Sequence, residues 1–212
     1  MRNLTKAIAP AVIADNEQAW LEQLAEEPDN ATRKTRYRHP EIKAAIRDEA
    51  YNKCIYCESK LGHNTPGDVE HIKPSSTRPH LRFNWRNLGL ACTECNRRKG
   101  VYDNDEIPFL NPFEDDVEAR VLHYGPIMSW VNGDQAAEIA IRKLELHGYN
   151  REQLVIRKIE RIHEVDRLMT LYQGCGNEVL KEMYYLQLID MAELPSEFSG
   201  MVKSILERNG IL

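Results

Sequence analysis

Apolar positions recur at helical spacing at both ends of the chain and at shorter, strand-like spacing in between. Near the N-terminus, Trp20, Leu21 and Leu24 share one face of a helix expected over 15–27, which Asp15 can cap. Pro40 suits the first turn of a second helix, running to about residue 53. Beyond Gly133 the pattern is helical again. Asp134 can cap a helix to about residue 147, and Asn150 with Gln153 three residues on predicts a capping box for a long helix to about 172. Ile156, Ile159, Ile162, Val165, Leu168 and Met169 keep its spacing. Gly174 and Gly176 interrupt the pattern, a further helix is expected over 177–191, and Pro195 would open the last. Residues 101–133, with Pro108, Pro112 and Pro126 and the acidic cluster Glu114-Asp115-Asp116, read as irregular.

The middle of the chain is different. The run 68–72, Asp-Val-Glu-His-Ile, alternates polar and apolar residues as a short strand does. After a Pro/Ser-rich loop, residues 84–92 form a second strand candidate. Residues 93–100 then read as a short helix from a Thr93 cap to a Gly100 stop. The order is strand, loop, strand, helix.

Two Cys-x-x-Cys pairs frame this segment: Cys54 with Cys57, and Cys92 with Cys95. Each two-residue gap lets the backbone turn while both sulfurs point the same way, so four thiolates can close a tetrahedron. Soft sulfur donors with no open position point to structural Zn²⁺. Two disulfides, a redox pair or an iron–sulfur cluster are the other arrangements open to this spacing. An ion here would pin a loop-rich stretch too small to hold itself. Cys175, far off in a helical region, reads as a free thiol.

Composition adds a location for the charge. The 212 residues carry a net charge of −5 and 42% hydrophobic residues, enough for a real core. Residues 33–100 hold 15 Lys and Arg against 7 Asp and Glu, while the rest holds 13 against 26. A basic surface suited to phosphate is thus joined to acidic material with another task. No apolar run approaches the ~20 residues of a membrane span. The short apolar stretch 7–14 is interrupted by Pro10 and reads as packing rather than a signal peptide, so a cytoplasmic location, where thiols stay reduced, is expected.

Glu70-His71, Asn87 and Asn96 stand among Cys54-Ile55-Tyr56-Cys57-Glu58 and Ala91-Cys92-Thr93-Glu94-Cys95-Asn96-Arg97-Arg98-Lys99-Gly100. Together they resemble the HNH, or ββα-metal, nuclease motif in its four-cysteine form, with Asn96 where many members carry histidine. A looser likeness continues through Leu110-Asn111-Pro112-Phe113-Glu114-Asp115-Asp116 and the helical tail. That longer pattern is similar to the HNH subunits of Septu anti-phage systems and their retron-associated relatives.

The resemblance implies an α+β, mostly α-helical protein, with a zinc-stapled ββα-metal core between flanking N- and C-terminal helices. It suggests an N-terminal helical segment over 1–39, a nuclease domain over 40–116 and an acidic helical region over 117–212. His71 would be the base, since an imidazole of pKa ~6.5 can take a proton from water near neutral pH. Glu70 and Asn96 would hold a catalytic Mg²⁺ or Mn²⁺, with Asp68 able to share the task. Asn87 would tie down the loop between the strands, and Arg97, Arg98 and Lys99 would contact DNA or RNA phosphates. His63 and His80 are expected to be solvated. The C-terminal helices would dock an ABC/SMC-like ATPase of the PtuA type. Two other readings stay open: a non-catalytic zinc-ribbon module binding nucleic acid or protein, and a restriction-like HNH nuclease that works alone.

Overall fold

A computed structural model describes residues 1–62 and 67–212; His63 lies outside them. The protein is α+β and mostly helical. Its N-terminal part carries α1 (Ala11–Ala14), α2 (Glu17–Glu26), α3 (Ala31–Lys34) and α4 (Pro40–Glu49). Strands β1 (Asp68–His71) and β2 (Leu88–Ala91) precede α5 (Thr93–Lys99). Then come α6 (Val117–Arg120), β3 (Val121–Tyr124), β4 (Ile127–Trp130), α7 (Gln135–Lys143), α8 (Glu152–Gly174), α9 (Glu178–Ala192) and α10 (Ser199–Arg208). Among the described residues no helix is long and apolar enough to cross a membrane.

Helix α4 forms as its sequence requires: Pro40 occupies the first turn, and Ile42 and Ile46, one turn apart, are buried on one face. Strands β1 and β2 pair antiparallel, with Glu70 opposite Gly89 and His71 opposite Leu88. Gly89 leaves room for the first cysteine knuckle, since a Cβ there would stand 2.9 Å from Ile55 Cδ1. Backbone closes the same contact, Ile55 N donating to Leu90 O at 3.0 Å.

Several expectations need correction at element ends. Helix α2 starts at Glu17, with Asn16 in the capping position and no side-chain cap bond; Asp15 instead ends α1. The second strand is shorter than 84–92, because Trp85–Asn87 forms a 3-10 turn. The cap of α5 is Cys92, whose Sγ accepts from Cys95 N at 3.3 Å, not Thr93. No capping box forms at Asn150: a 3-10 turn, Tyr149–Arg151, leads into α8 at Glu152. Helix α10 opens at Ser199, behind Phe198 at φ 55°, rather than at Pro195. Asp134 does cap α7, accepting from Ala137 N at 3.0 Å.

The stretch expected to be irregular holds a hairpin. β3 and β4 pair antiparallel from Val121↔Trp130 to Tyr124↔Ile127, around a Gly125-Pro126 turn with Gly125 at φ 58°. Its inward residues are Val121 and His123, while Leu122 and Tyr124 face out. That inversion hides the strand from an apolar-in pattern.

Among the described residues, the larger buried apolar cluster draws on positions from Met1 to Met201. It joins Met1 and Ile13, Ile42 and Ile46 of α4, the knuckle residues Cys54, Ile55, Tyr56 and Cys57, Leu88 and Leu90 of β2, the inner face of α7, and Met201 of α10. A smaller cluster, including Val165, Met169, Leu188 and Val202, holds α8, α9 and α10 together. Glu58, next to Cys57, is buried and supplies the polar joint. It accepts from the Met1 α-amino group at 2.6 Å, and from Ser199 Oγ and Gly200 N at 3.0 Å each.

Candidate functional site

Sulfur chemistry sets the base of the site. The Sγ atoms of Cys54, Cys57, Cys92 and Cys95 all lie within 4.8 Å of one another, and none is in a disulfide. A tetrahedral ion with ~2.3 Å bonds to sulfur requires edges of about 3.8 Å; the Cys57 to Cys92 edge is 3.9 Å. The four residues therefore fit Zn²⁺. Arg151, at the entrance to α8, donates to Cys95 Sγ at 3.1 Å and to Cys92 Sγ at 3.9 Å. Its guanidinium offsets the charge of a four-thiolate site. No local pattern marks Arg151, because it lies 56 residues beyond Cys95.

A groove of about 590 Å³ opens between α4, β1 and α5. Asp68, Glu70, His71, Asn96 and Lys99 all line it. Strand β1 thus brings its carboxylates and imidazole to the same cavity as the amide on α5.

His71 is held from two sides. Its Nε2 lies 2.9 Å from the carbonyl oxygen of Arg82, and the Tyr37 ring meets it edge-on at 4.6 Å. A carbonyl can only accept, so Nε2 carries the hydrogen and the neutral ring keeps its lone pair on Nδ1. Burial, with the nearby positive charges of Arg82 and Lys99, pushes the imidazole down to about 4, against the opposing bond to Arg82 O. At neutral pH the ring is an uncharged base.

Asn87 bonds both sides of the strand-joining loop. Lys73 N donates to Asn87 Oδ1 at 2.7 Å, while Asn87 Nδ2 donates to Lys73 O at 2.9 Å and to Leu81 O at 3.1 Å. Leu81 adjoins Arg82, whose carbonyl fixes His71.

Glu70 is 1% exposed, and Lys99 Nζ stands 2.7 Å from its Oε1. Tyr56 OH donates to the same oxygen at 3.2 Å. Burial raises the Glu70 carboxyl above its ordinary range, even against the pull of Lys99.

The basic run at the end of α5 splits three ways. Arg97 is exposed and paired with Glu94. Arg98 is half-buried between Glu94 and Glu145. Lys99 is buried, so it faces Glu70 and not the surface. The cations facing the groove come mostly from elsewhere: Arg38 before α4, Lys43 and Arg47 on α4, and Arg82 in the loop. These groove cations all lie within the basic span 33–100. His80 is exposed, and Cys175 is a half-buried free thiol.

Comparison with known proteins finds a family match and two relatives. Residues 54–101 match the family model for the HNH endonuclease. The chain is 28% identical over 179 residues to the Septu protein PtuB of Bacillus thuringiensis, covering 80% of this chain and 70% of that protein. It is 24% identical over 171 residues to the Septu protein PtuB of Bacillus mycoides (strain KBAB4), covering 64% of this chain and 58% of the relative. The chain thus spans about 70% of the length of the first of these relatives and 58% of the second.

Proposed function

We propose that this protein is an HNH endonuclease that hydrolyses phosphodiester bonds of DNA or RNA, working in the cytoplasm as the nuclease effector of a Septu-type anti-phage system. The observation that carries the reading is the shared groove: Glu70, His71 and Asn96 line one cavity with Arg38, Lys43, Arg47 and Arg82, and Asn96 follows Cys95 on helix α5.

The chemistry follows from those side chains. Arg38, Lys43, Arg47 and Arg82 draw the nucleic-acid backbone into the groove by charge. His71 Nδ1 takes the proton of the attacking water, and the Arg82 carbonyl and Tyr37 ring keep the imidazole from turning away. Asn87 acts as a positioning residue, holding the loop that carries Arg82. Glu70 and Asn96, with Asp68 at hand, offer the hard oxygen donors that suit Mg²⁺ or Mn²⁺. Such an ion would offset the negative charge that builds on the phosphate during attack. The four thiolates would hold structural Zn²⁺ apart from this chemistry.

Partner docking belongs to the helical half. On α9, Val179 is 71% exposed, Met183 51% and Leu186 56%, one turn apart along one face. A helix apolar on both sides leaves one side to cover. The acidity of the region outside 33–100 disfavours nucleic acid there, and the likeness to PtuB points to an ABC/SMC-like ATPase of the PtuA type.

Plasmid and RNA substrates incubated with Mg²⁺ or Mn²⁺, with and without the ATPase, test both parts. Wild-type protein should cleave and the His71→Ala variant should not. Equal cleavage by the two would overturn the catalytic assignment, and co-purification with the ATPase unaffected by Met183→Glu with Leu186→Glu would remove the α9 docking face.

A further inference from the structure

The Lys99 ammonium is paired with the Glu70 carboxylate inside the protein. Lys99 and Glu70 are 2% and 1% exposed, and their charged atoms are 2.7 Å apart. Lys99 Nζ also donates to the carbonyl oxygen of His71 at 2.8 Å, and Tyr56 OH donates to the Glu70 oxygen that Lys99 holds. The Phe109 ring lies 5.8 Å from Nζ and closes the buried side. One Glu70 oxygen is thus already paired with a cation of the chain itself.

Helix geometry makes the arrangement consequential. Lys99 and Asn96 are three residues apart on α5, so they lie on the same helix face, one above the other. Helix α5 is fixed at its start by the Cys92 sulfur and stopped by Gly100 at φ 59°, which fixes where Lys99 can reach. A divalent ion shared by Glu70 and Asn96 would meet an ammonium at contact range of the same carboxylate, and like charges that close in a buried site repel strongly.

From this we propose that Lys99 is an internal competitor of the catalytic metal: it occupies Glu70 in the resting protein, and a divalent ion binds only by taking Glu70 from it. The proposal rests on the reading of Glu70 and Asn96 as the ion's donors. Lys99 is then a positioning residue that lowers metal affinity, in place of the phosphate clamp its sequence position suggests.

Binding of Mn²⁺ alone to the zinc-loaded full chain, followed by titration calorimetry or by loss of the free Mn²⁺ resonance, tests it without any turnover. Mn²⁺ ranks below Zn²⁺ for such sites and leaves the sulfur-bound ion in place. Lys99→Met should bind Mn²⁺ about tenfold or more tightly than wild type, because a buried carboxylate without its ammonium has only the ion to pair with. Lys99→Arg should stay near wild type, and Glu70→Gln added to Lys99→Met should abolish the gain. Mn²⁺ binding in wild type that depends on Glu70 but is no tighter in Lys99→Met overturns the competition and leaves the nuclease reading standing. Absence of Glu70-dependent Mn²⁺ binding in every variant overturns both. Should Lys99→Met fail to fold, the wild-type chain decides. Its Lys99 ammonium resonance, protected from water in the metal-free state, should lose that protection on Mg²⁺ saturation, and unchanged protection would refute the exchange.

Discussion

Asn87 and Lys73 are bonded in both directions, amide oxygen to backbone N–H and amide nitrogen to backbone carbonyl, at 2.7 and 2.9 Å. Two strands separated by a long loop are thereby fixed at the loop's neck. Asn87→Ala should remove these bonds and the one to Leu81, costing about 1–3 kcal/mol. It should also lower kcat far more than it raises KM, because what it loses is the placement of His71. Leaving kcat unchanged while the melting temperature drops would show that Asn87 serves the fold alone.

Two imidazoles, His123 buried and His71 half-buried, give the protein an acid-sensitive window. His123 has no partner for Nδ1 and is pushed well below 6.5, first by burial, then by the Met1 α-amino group, Lys158 and Arg208, with Glu58 opposing. His71 is lowered to about 4. For both, the folded pKa lies below the unfolded value near 6.5. Their contribution to stability is complete above that value and is lost as pH falls from about 6.5 toward the folded pKa. Thermal melts should show a falling midpoint across that interval, with a shallower slope in His123→Leu. An identical slope in the variant would mean that other groups set the acid limit.

Removing the sulfur-bound ion should unfold more than the knuckles. Cys54, Cys57 and Cys95 belong to the main core cluster together with Ile13, Ile46 and Ala140. Purified protein is expected to carry about one Zn²⁺ per chain, since four cysteines fill one coordination sphere. A strong chelator, or Cys95→Ser, should abolish the cooperative melt of the whole chain. Loss confined to the segment around β1 and β2, seen by hydrogen exchange, would contradict that coupling.

Groove cations should show themselves in salt dependence. Arg38→Glu with Lys43→Glu should weaken nucleic-acid binding and flatten the plot of log affinity against log salt by about two units, as two phosphate contacts are lost. Arg97→Glu, away from the groove and already paired with Glu94, should change the slope little. The reverse ranking would place the substrate over the end of α5.

How much of this could be read in advance depends on the range of the interaction. The cysteine pairs, β1, the helix from Pro40 and the Asp134 cap are set by neighbours a few residues away, and spacing reveals them. Cap residues in competition, such as Asp15 with Asn16, are decided by how the preceding turn closes. The hairpin at 121–130 escaped because a histidine, not a leucine, fills its inner face. Arg151 over the sulfurs and Lys99 on Glu70 arise only where distant elements meet. The groove cations belong to the same class, since α4 and the strand loop come together only in the folded chain.

Glu58 ties the first knuckle to the start of α10, and Arg151 lays a guanidinium from the turn before α8 over the second. A fragment ending near residue 116 would leave a buried carboxylate without Ser199 and Gly200 and a thiolate cluster without its nearest cation. The ββα unit of this chain is therefore not a portable cassette. Grafting it onto another scaffold would require transplanting the helical half, or supplying substitutes for both anchors.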